Sequence, residues 1–174
     1  MLQTSLLGSH HTAASFDCGV PELNSFIKDR ALDAGQLGIC RTYVFALSDQ
    51  KIFGYYTLSA WLINLKEATP GVLDGVIENF SMPAVLFGKL AIDKPNQGLG
   101  LSRVIIRDAV EKTFKAAEII GIKAMALHAK TDRLVETYAH HGFMPCADSK
   151  KPHYLMASLP QLKAAIASNA SKHT

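Results

Sequence analysis

The chain has 174 residues, 48% of them apolar, and its 18 basic and 15 acidic residues give a net charge of +3. This length is typical of one compact domain, and the apolar content excludes a disordered chain, which requires low hydrophobicity and high net charge. The weak positive charge suits an anionic ligand or RNA but does not by itself indicate a nucleic-acid-binding protein.

The sequence contains no signal for a membrane, a disulfide framework or a metal. No apolar run approaches the roughly 18 residues that cross a bilayer, and the N-terminus lacks a basic region followed by an apolar block. The three cysteines, Cys18, Cys40 and Cys146, are too far apart for a disulfide framework or a zinc site, which favours small core residues in a reducing compartment. The histidines show no metal-ligand pattern. We therefore expect a cytoplasmic protein without a metal.

The first half of the chain predicts a helix followed by a hairpin. Residues 21–34 have a proline in the first turn and apolar residues at helical spacing, and Gly35 ends the segment. Residues 41–47 and 52–60 are rich in aromatic and β-branched residues and predict two strands joined by a short turn. Residues 70–82 predict an irregular connection rich in turn residues, with or without a short helix.

The second half predicts alternating strands and helices. The strands are expected at 84–92, 123–129 and 154–158, and the helices at 101–120 and 132–141, with a fraying helix end after 164. The first of these strands is almost continuously apolar, which fits a central strand covered on both faces. The alternation indicates an α/β layer architecture, and the preceding hairpin gives the sheet a mixed character.

A glycine-containing loop separates the apolar strand from the long helix. Gly98 and Gly100 permit backbone conformations closed to other residues and let the main chain approach a ligand closely. Backbone N–H groups and the positive end of the helix favour an anion there, and Arg103 adds a positive charge. The spacing excludes the nucleotide P-loop and the three-glycine dinucleotide fingerprint. A glycine loop of this kind is also often only a turn.

Residues 97–102, Q-G-L-G-L-S, resemble the Gln/Arg-x-x-Gly-x-Gly/Ala signature of the GNAT superfamily of acetyltransferases, with Ser102 in place of the last Gly or Ala. The apolar strand that ends shortly before the signature and the pattern Tyr-x-x-x-Gly-Phe at 138–143 are similar to the same superfamily. The resemblance implies an α/β (α+β) GNAT fold, in which a mixed, mostly antiparallel central sheet is flanked by helices. We expect one domain over residues 1–174, with its core at about 14–158 and a tail at about 160–174.

The same resemblance implies that acetyl-CoA is the co-substrate and assigns its binding site. The residues implied are Leu90, Ala91, Ile92, Gln97, Gly98, Leu99, Gly100, Leu101, Ser102 and Arg103. Backbone N–H groups near Leu90 to Ile92 would bind the acetyl carbonyl and its developing oxyanion. Tyr138 would be the catalytic residue that protonates the departing thiolate. The alternative for Tyr138 is a core aromatic, since it lies on an apolar stripe.

The N-terminal half resembles a narrower family, the GNAT toxins of bacterial type II toxin–antitoxin modules. The similar segments are 16–19 (F-D-C-G), 23–26 (L-N-S-F), 41–44 (R-T-Y-V), 54–59 (G-Y-Y-T-L-S) and 86–93 (L-F-G-K-L-A-I-D). The resemblance implies acetylation of the α-amino group of aminoacyl-tRNA, which blocks translation. It also implies a ribbon-helix-helix antitoxin of the DUF1778 type, contact with operator DNA only through that antitoxin, and a homodimer.

Two further features bear on the acceptor amine. Arg41 and Lys89 match basic residues of the toxin family and are candidates for contact with the charged tRNA, although ordinary surface charges are an equal alternative. The glutamates of the chain, including Glu78, occupy predicted loop or exposed helix positions, so no general base is evident. An α-amine, with a pKa of about 7.7–8.0, needs such a base far less than a lysine at about 10.4. The missing base favours an α-amine.

Two alternatives to the toxin function stay open from the sequence. One is a GNAT acetyltransferase that acts on a small amine, a peptide N-terminus or a protein lysine. The other is a non-catalytic acyl-CoA-binding module that has kept the fold. Likewise, Tyr55, Tyr56 and Trp61 are compatible with an acceptor pocket, although aromatic residues on strands more often belong to a core.

Overall fold

A computed structural model describes residues 4–76, 81–148, 150–151 and 153–171 of the chain. The strands are β1 (Ser5–Leu6), β2 (Arg41–Ala46), β3 (Ile52–Ile63), β4 (Met82–Ile92), β5 (Ala124–His128), β6 (Met144–Pro145) and β7 (Tyr154–Ser158). The helices are α1 (Pro21–Ser25), α2 (Ala31–Gln36), α3 (Pro70–Leu73), α4 (Leu101–Ala117), α5 (Asp132–Ala139) and α6 (Leu159–Ser171). No helix in these described ranges is long and apolar enough to span a membrane.

The strands form one seven-stranded sheet in the order β1-β2-β3-β4-β5-β7-β6. The pairs β1–β2, β2–β3, β5–β7 and β6–β7 are antiparallel. In the hairpin, Thr42 lies opposite Thr57 and Val44 opposite Tyr55. The expected sheet flanked by helices is confirmed, and each strand predicted from the sequence is present within a few residues of its predicted bounds.

The contacts between residues divide the chain into two compact units. The first contains the residues up to Ser59 together with Phe87–Ala109, and the second contains Ala60–Leu86 together with the residues from Val110 onward. A buried core cluster of the first unit contains Phe16, Phe26, Ile27, Ala31, Val44, Ile52, Tyr55 and Ala91. A buried core cluster of the second contains Ile63, Ala68, Val72, Met82, Ala84, Ala124, Ala126, Cys146, Tyr154 and Met156. A single domain over the whole chain stays a prediction.

The first predicted helix is interrupted by a π-helical turn, Phe26–Arg30, which lies between α1 and α2. The N–H of Ala31 donates to the carbonyl of Phe26, five residues earlier, so the turn contains one residue more than an α-helical turn. Phe26, Ile27 and Ala31 are all buried, so the widened turn directs one apolar face into the core. The segment extends to Gln36, slightly beyond the predicted end.

Two short strands were not predicted, and the C-terminal helix begins earlier than the expected fraying helix end. The strands β1 and β6 contain only two residues each, which is too short for any alternation of apolar and polar residues. The tail predicted as a fraying helix end is α6, a helix that begins at Leu159 directly after β7. Residues 77–80, which include Glu78, lie outside the described part of the chain.

Candidate active site

The glycine loop lies between the end of β4 at Ile92 and the start of α4 at Leu101. Gly98 has a φ of 76° and Gly100 a φ of 75°, a left-handed backbone conformation that only glycine adopts without strain. A Cβ atom at either position would meet nothing within 4 Å. The glycines are therefore required by the backbone conformation of the loop, and the space beside them is open.

The same loop has the features of an anion site. The first N–H groups of an α-helix have no acceptor within the helix, and they carry the positive end of its dipole. Arg103, in the first turn of α4, is exposed, and its N–H donates to the Gly100 carbonyl at 3.1 Å. An open, positively polarised loop of exposed backbone fits the diphosphate of a nucleotide-containing coenzyme such as acetyl-CoA.

The side chain of Gln97 forms hydrogen bonds to backbone carbonyls of the chain itself. Its Nε2 atom donates to the carbonyl of Ile92 at 2.7 Å and to that of Cys18 at 3.0 Å. The side-chain amide therefore fixes the start of the glycine loop. Contact between Gln97 and the coenzyme stays a prediction, as it does for the other predicted loop residues.

The strand residues predicted to bind the acetyl carbonyl lie at the C-terminal end of β4. Ala91 is buried in the core of the first unit, and Leu90 and Ile92 are half-buried. Just before them, the N–H of Lys89 donates to the hydroxyl of Thr57 at 3.0 Å. A side chain of β3 therefore contacts the backbone of β4 immediately before the predicted carbonyl-binding amides.

Arg41 and Lys89, the residues predicted to contact tRNA, are both exposed. The Arg41 guanidinium donates to the Gly35 carbonyl at 3.0 Å and lines a cavity of about 150 Å³. The ammonium of Lys89 lies 4.7 Å from the centroid of the Phe26 ring, which indicates a cation–π contact. Both cations have exposed surface in the first unit that a polyanion can reach.

Tyr55 and Tyr56 are fully buried, so they do not line an acceptor pocket. The Tyr55 hydroxyl donates to the Leu23 carbonyl at 2.8 Å, and the Tyr56 hydroxyl donates to the carboxylate of Asp108. Both are core residues whose polar atoms are satisfied, as is usual for buried tyrosines. Trp61, in contrast, is 39% exposed.

Tyr138 lies near the end of α5 and is only 8% exposed. Its ring meets that of Phe143 edge to face, with centroids 5.9 Å apart, and burial raises the pKa of Tyr138 to about 12. Between them, Gly142 has a φ of 89°, and a Cβ there would lie 3.1 Å from the Gln161 carbonyl of α6. The Tyr-x-x-x-Gly-Phe pattern therefore describes a helix end packed closely against α6.

An aromatic cluster in the second unit was not found from the sequence. The Trp61 indole donates to the Tyr154 hydroxyl at 2.8 Å, and the His128 ring stacks on that of Tyr154 with centroids 4.6 Å apart. His128 is exposed, and burial of part of its ring lowers its pKa. These residues come from distant positions in the chain, so no local spacing marks them. Within the described ranges, no three His, Cys, Asp or Glu side chains form a metal site.

No protein-family model matches the chain. It is 30% identical to a tRNA-acetylating toxin of Mycobacterium tuberculosis. The 152 aligned residues cover 87% of this chain and 89% of that protein. It is 24% identical over 145 residues to a probable toxin TacT of Sinorhizobium fredii, which is 79% of this chain and 80% of the relative.

Solved structures have the same fold. AtaT complexed with acetyl-methionyl-tRNAfMet matches with a TM-score of 0.85 and 22% identity, over 95% of this chain and 99% of AtaT. A tyrosine-to-phenylalanine variant of KacT matches with a TM-score of 0.84 and 23% identity, over 94% of this chain and 98% of KacT. An AtaT variant bound to acetyl-CoA and to the C-terminus of the antitoxin AtaR matches with a TM-score of 0.79 and 21% identity, over 95% of this chain and 98% of the variant.

At these identities the solved structures establish the fold, and the 30% identity to the mycobacterial protein establishes the family. The open glycine loop before α4 is compatible with both. The chain therefore belongs to the family of tRNA-acetylating toxins and is an acetyltransferase.

Proposed function

We propose that this chain transfers the acetyl group of acetyl-CoA to the α-amino group of an aminoacyl-tRNA and thereby acts as the toxin of a toxin–antitoxin pair. The observation that supports this most is the 30% identity to a tRNA-acetylating toxin over 87% of the chain. The open glycine loop supports the use of a diphosphate-containing coenzyme. Acetylation removes the nucleophilic amine that would otherwise extend the peptide.

The chemistry of the proposed reaction divides between two groups of residues. Acetyl-CoA supplies a thioester carbonyl and a thiolate leaving group. N–H groups at Leu90 to Ile92 donate hydrogen bonds to the carbonyl oxygen, which gains negative charge as the amine attacks. Exposed backbone at Gly98 to Ser102, with Arg103, holds the diphosphate. These residues belong to the end of β4, the glycine loop and the first turn of α4.

Tyr138 acts as the proton donor to the departing sulfur. A phenol is protonated at neutral pH, and burial, which raises the pKa of Tyr138 to about 12, maintains this donor form. A thiol has a pKa of about 8.5, so the phenol is the weaker acid and its phenolate the stronger base. Tyr138 donates to the sulfur as the C–S bond breaks, and the phenolate then recovers the proton that the attacking amine releases.

The acceptor amine enters the proposed reaction without a dedicated general base. The α-amino group, with a pKa of about 7.7–8.0 before esterification, is substantially neutral at physiological pH. Arg41 and Lys89 contact phosphates of the tRNA near its acceptor end, which supplies affinity without sequence selection.

The proposal includes partners and location. A ribbon-helix-helix antitoxin of the DUF1778 type neutralises the toxin, and the pair contacts operator DNA through that antitoxin. The toxin forms a homodimer of single-domain subunits and acts in the cytoplasm, where charged tRNA is found.

The experiment is to incubate the purified chain with acetyl-CoA and pooled charged tRNAs and to analyse the aminoacyl-adenosine released by nuclease by mass spectrometry. We expect N-acetylated aminoacyl-adenosine from at least one amino acid. Free amino acids, peptides and polyamines serve as competing acceptors. Acetylation of these acceptors with all charged tRNAs untouched would select an ordinary GNAT enzyme, and coenzyme binding without turnover would select a non-catalytic module.

A further inference from the structure

The turn that precedes α1 is hydrogen-bonded to the segment that leads into the glycine loop. The N–H of Asp17 donates to the carboxylate of Asp93 at 2.8 Å, and the N–H of Lys94 donates to the Asp17 carbonyl at 2.9 Å. The Asp17 carboxylate accepts the ammonium of Lys94 at 2.6 Å. Two segments separated by 77 positions are therefore joined by backbone and side-chain contacts.

The Asp17 carboxylate also organises its own turn. One oxygen accepts the N–H of Gly19 at 2.9 Å and the side-chain amide of Asn24 at 2.8 Å. Asn24 in turn accepts the N–H of Cys18 at 2.9 Å, and the Cys18 carbonyl accepts the side chain of Gln97 at 3.0 Å. We call Asp17, Asn24, Asp93, Lys94 and Gln97 the Asp17 network. Lys94, the N–H of Gly19 and Asn24 hold the pKa of the Asp17 carboxyl well below its usual range.

The glycine loop depends on such support because little else holds it. Gly98, Leu99 and Gly100 are exposed, and no atom lies within 4 Å of where a Cβ would stand at either glycine. Side-chain packing therefore does not fix the positions of these residues. Their geometry is set by the two ends of the loop, which are α4 on one side and Gln97 with the preceding turn on the other.

We propose that Asp17 is a positioning residue for acetyl-CoA: through Lys94 and Gln97, the Asp17 network holds the glycine loop in the conformation that binds the diphosphate. This inference rests on the proposed function for the use of acetyl-CoA. It assigns a physical role to the F-D-C-G segment at 16–19. This segment lies far from the glycine loop in the sequence but supports the loop through hydrogen bonds. Preorganisation of this kind lowers the ordering cost of binding.

An alternative is that Lys94 binds the diphosphate directly. This alternative predicts the opposite change in acetyl-CoA affinity for Asp17→Asn. If Lys94 bound the diphosphate through its charge, then Asp17→Asn would release the ammonium and remove a nearby negative charge. Acetyl-CoA would then bind more tightly. In the proposed role, Asp17→Asn and Lys94→Met each weaken binding, and the double variant is no weaker than either single one because both remove the same support.

The test compares two acyl donors in Asp17→Asn and the unchanged chain. S-acetylpantetheine has the same thioester as acetyl-CoA but lacks the diphosphate and the nucleotide. We expect the dissociation constant of acetyl-CoA, measured by calorimetry without tRNA, to rise five- to tenfold. The ratio of kcat/KM for acetyl-CoA to that for S-acetylpantetheine should fall by the same factor. The kcat at saturating acetyl-CoA should change less than twofold.

Asp49→Asn is the matched control, because Asp49 also accepts a lysine ammonium (Lys51, 3.1 Å) and a backbone N–H in an exposed turn of the same unit. It should leave both donors' constants unchanged. An equal loss with the two donors, or unchanged or tighter acetyl-CoA binding in Asp17→Asn, overturns the inference. If the unchanged chain binds acetyl-CoA but acetylates no charged tRNA, the proposed acceptor is wrong while the calorimetric comparison still decides the role of Asp17.

Discussion

At the scale of single residues, two glycines determine the conformation of the glycine loop. Gly98 and Gly100 share a φ near +75°, and the open space beside them shows that conformation, and not packing, requires glycine there. A residue with a Cβ costs about 1–2 kcal/mol in this region of backbone space. Glycine thus keeps the loop unstrained while its backbone stays accessible to a ligand.

Gly98→Ala is predicted to destabilise the chain and to weaken acetyl-CoA binding. The left-handed φ of 76° becomes strained, so we expect a loss of about 1–2 kcal/mol in the free energy of unfolding and roughly a tenfold higher dissociation constant. Urea denaturation and calorimetry measure the two effects. Gly38→Ala is the control. Gly38 also has a left-handed φ, 72°, and open space around the position of a Cβ, but it lies outside the glycine loop. Equal weakening of acetyl-CoA binding by both variants would contradict the assignment of the loop.

Tyr138→Phe is predicted to slow the reaction without loss of coenzyme binding. Removing a general acid typically costs about 10²- to 10⁴-fold in rate, so we expect kcat to fall at least about a hundredfold while the acetyl-CoA dissociation constant changes less than about threefold. Cells that express the variant should grow. Tyr55→Phe removes another buried hydroxyl, which donates to Leu23, and should keep kcat near the unchanged value. Full toxicity and full kcat in Tyr138→Phe would remove Tyr138 from the mechanism.

At the scale of elements, a side chain of β3 contacts the backbone of β4 next to the predicted acetyl site. The N–H of Asp93 donates to the Phe53 carbonyl at 2.8 Å. The N–H of Lys89 donates to the Thr57 hydroxyl, and a Cβ at Gly88 would lie 2.3 Å from that oxygen. Glycine at 88 therefore makes room for the hydroxyl.

Gly88→Ala is predicted to destabilise the chain through Thr57. The new Cβ displaces the buried hydroxyl and leaves the Lys89 N–H without its acceptor, which costs about 1–3 kcal/mol. In a Thr57→Ala background the clash is absent, so the same substitution should cost at least about 1 kcal/mol less. Urea denaturation of the four proteins measures this coupling. Gly54→Ala is the control, since its Cβ would make only ordinary contacts at 3.6 Å or beyond. Additive effects at 57 and 88 would exclude the steric account.

At the scale of the whole molecule, the tyrosines link stability to alkaline pH. The chain has five tyrosines, and burial is the largest cause of a raised pKa at Tyr43, Tyr55, Tyr56, Tyr138 and Tyr154. Ionisation is therefore easier in the unfolded chain, whose tyrosines titrate at their ordinary value of 10.0. The folded state loses relative stability as the pH rises above that value.

The free energy of unfolding is predicted to be independent of tyrosine ionisation below about pH 9 and to fall steeply above about pH 10. Ultraviolet absorbance of the phenolate, followed together with circular dichroism, should show most tyrosines ionising only as the fold is lost. The chain in concentrated guanidinium provides the control, in which all five titrate near their ordinary value. Ionisation of all five near pH 10 with an intact dichroism spectrum would contradict the burial observed here.

The sequence predicted the main elements because their signals are local. Apolar periodicity indicated α4, the continuous apolar run indicated β4, and Gly98 and Gly100 marked the loop between them. The two-residue strands β1 and β6 and the π-helical turn after Ser25 have no comparable signal, since they arise from pairing and burial. The same is true of the cluster of Trp61, His128 and Tyr154, whose members lie far apart in the chain.

The sequence by itself determined the fold class, the position of the glycine loop and the family resemblance, because each depends on residue types at short spacing. Only the tertiary structure decided that Gln97 and Asp17 support that loop, that Tyr55 and Tyr56 are core residues, and that Tyr138 is buried with a raised pKa. These properties depend on neighbours distant in the chain and on exposure to water, and a linear pattern contains neither.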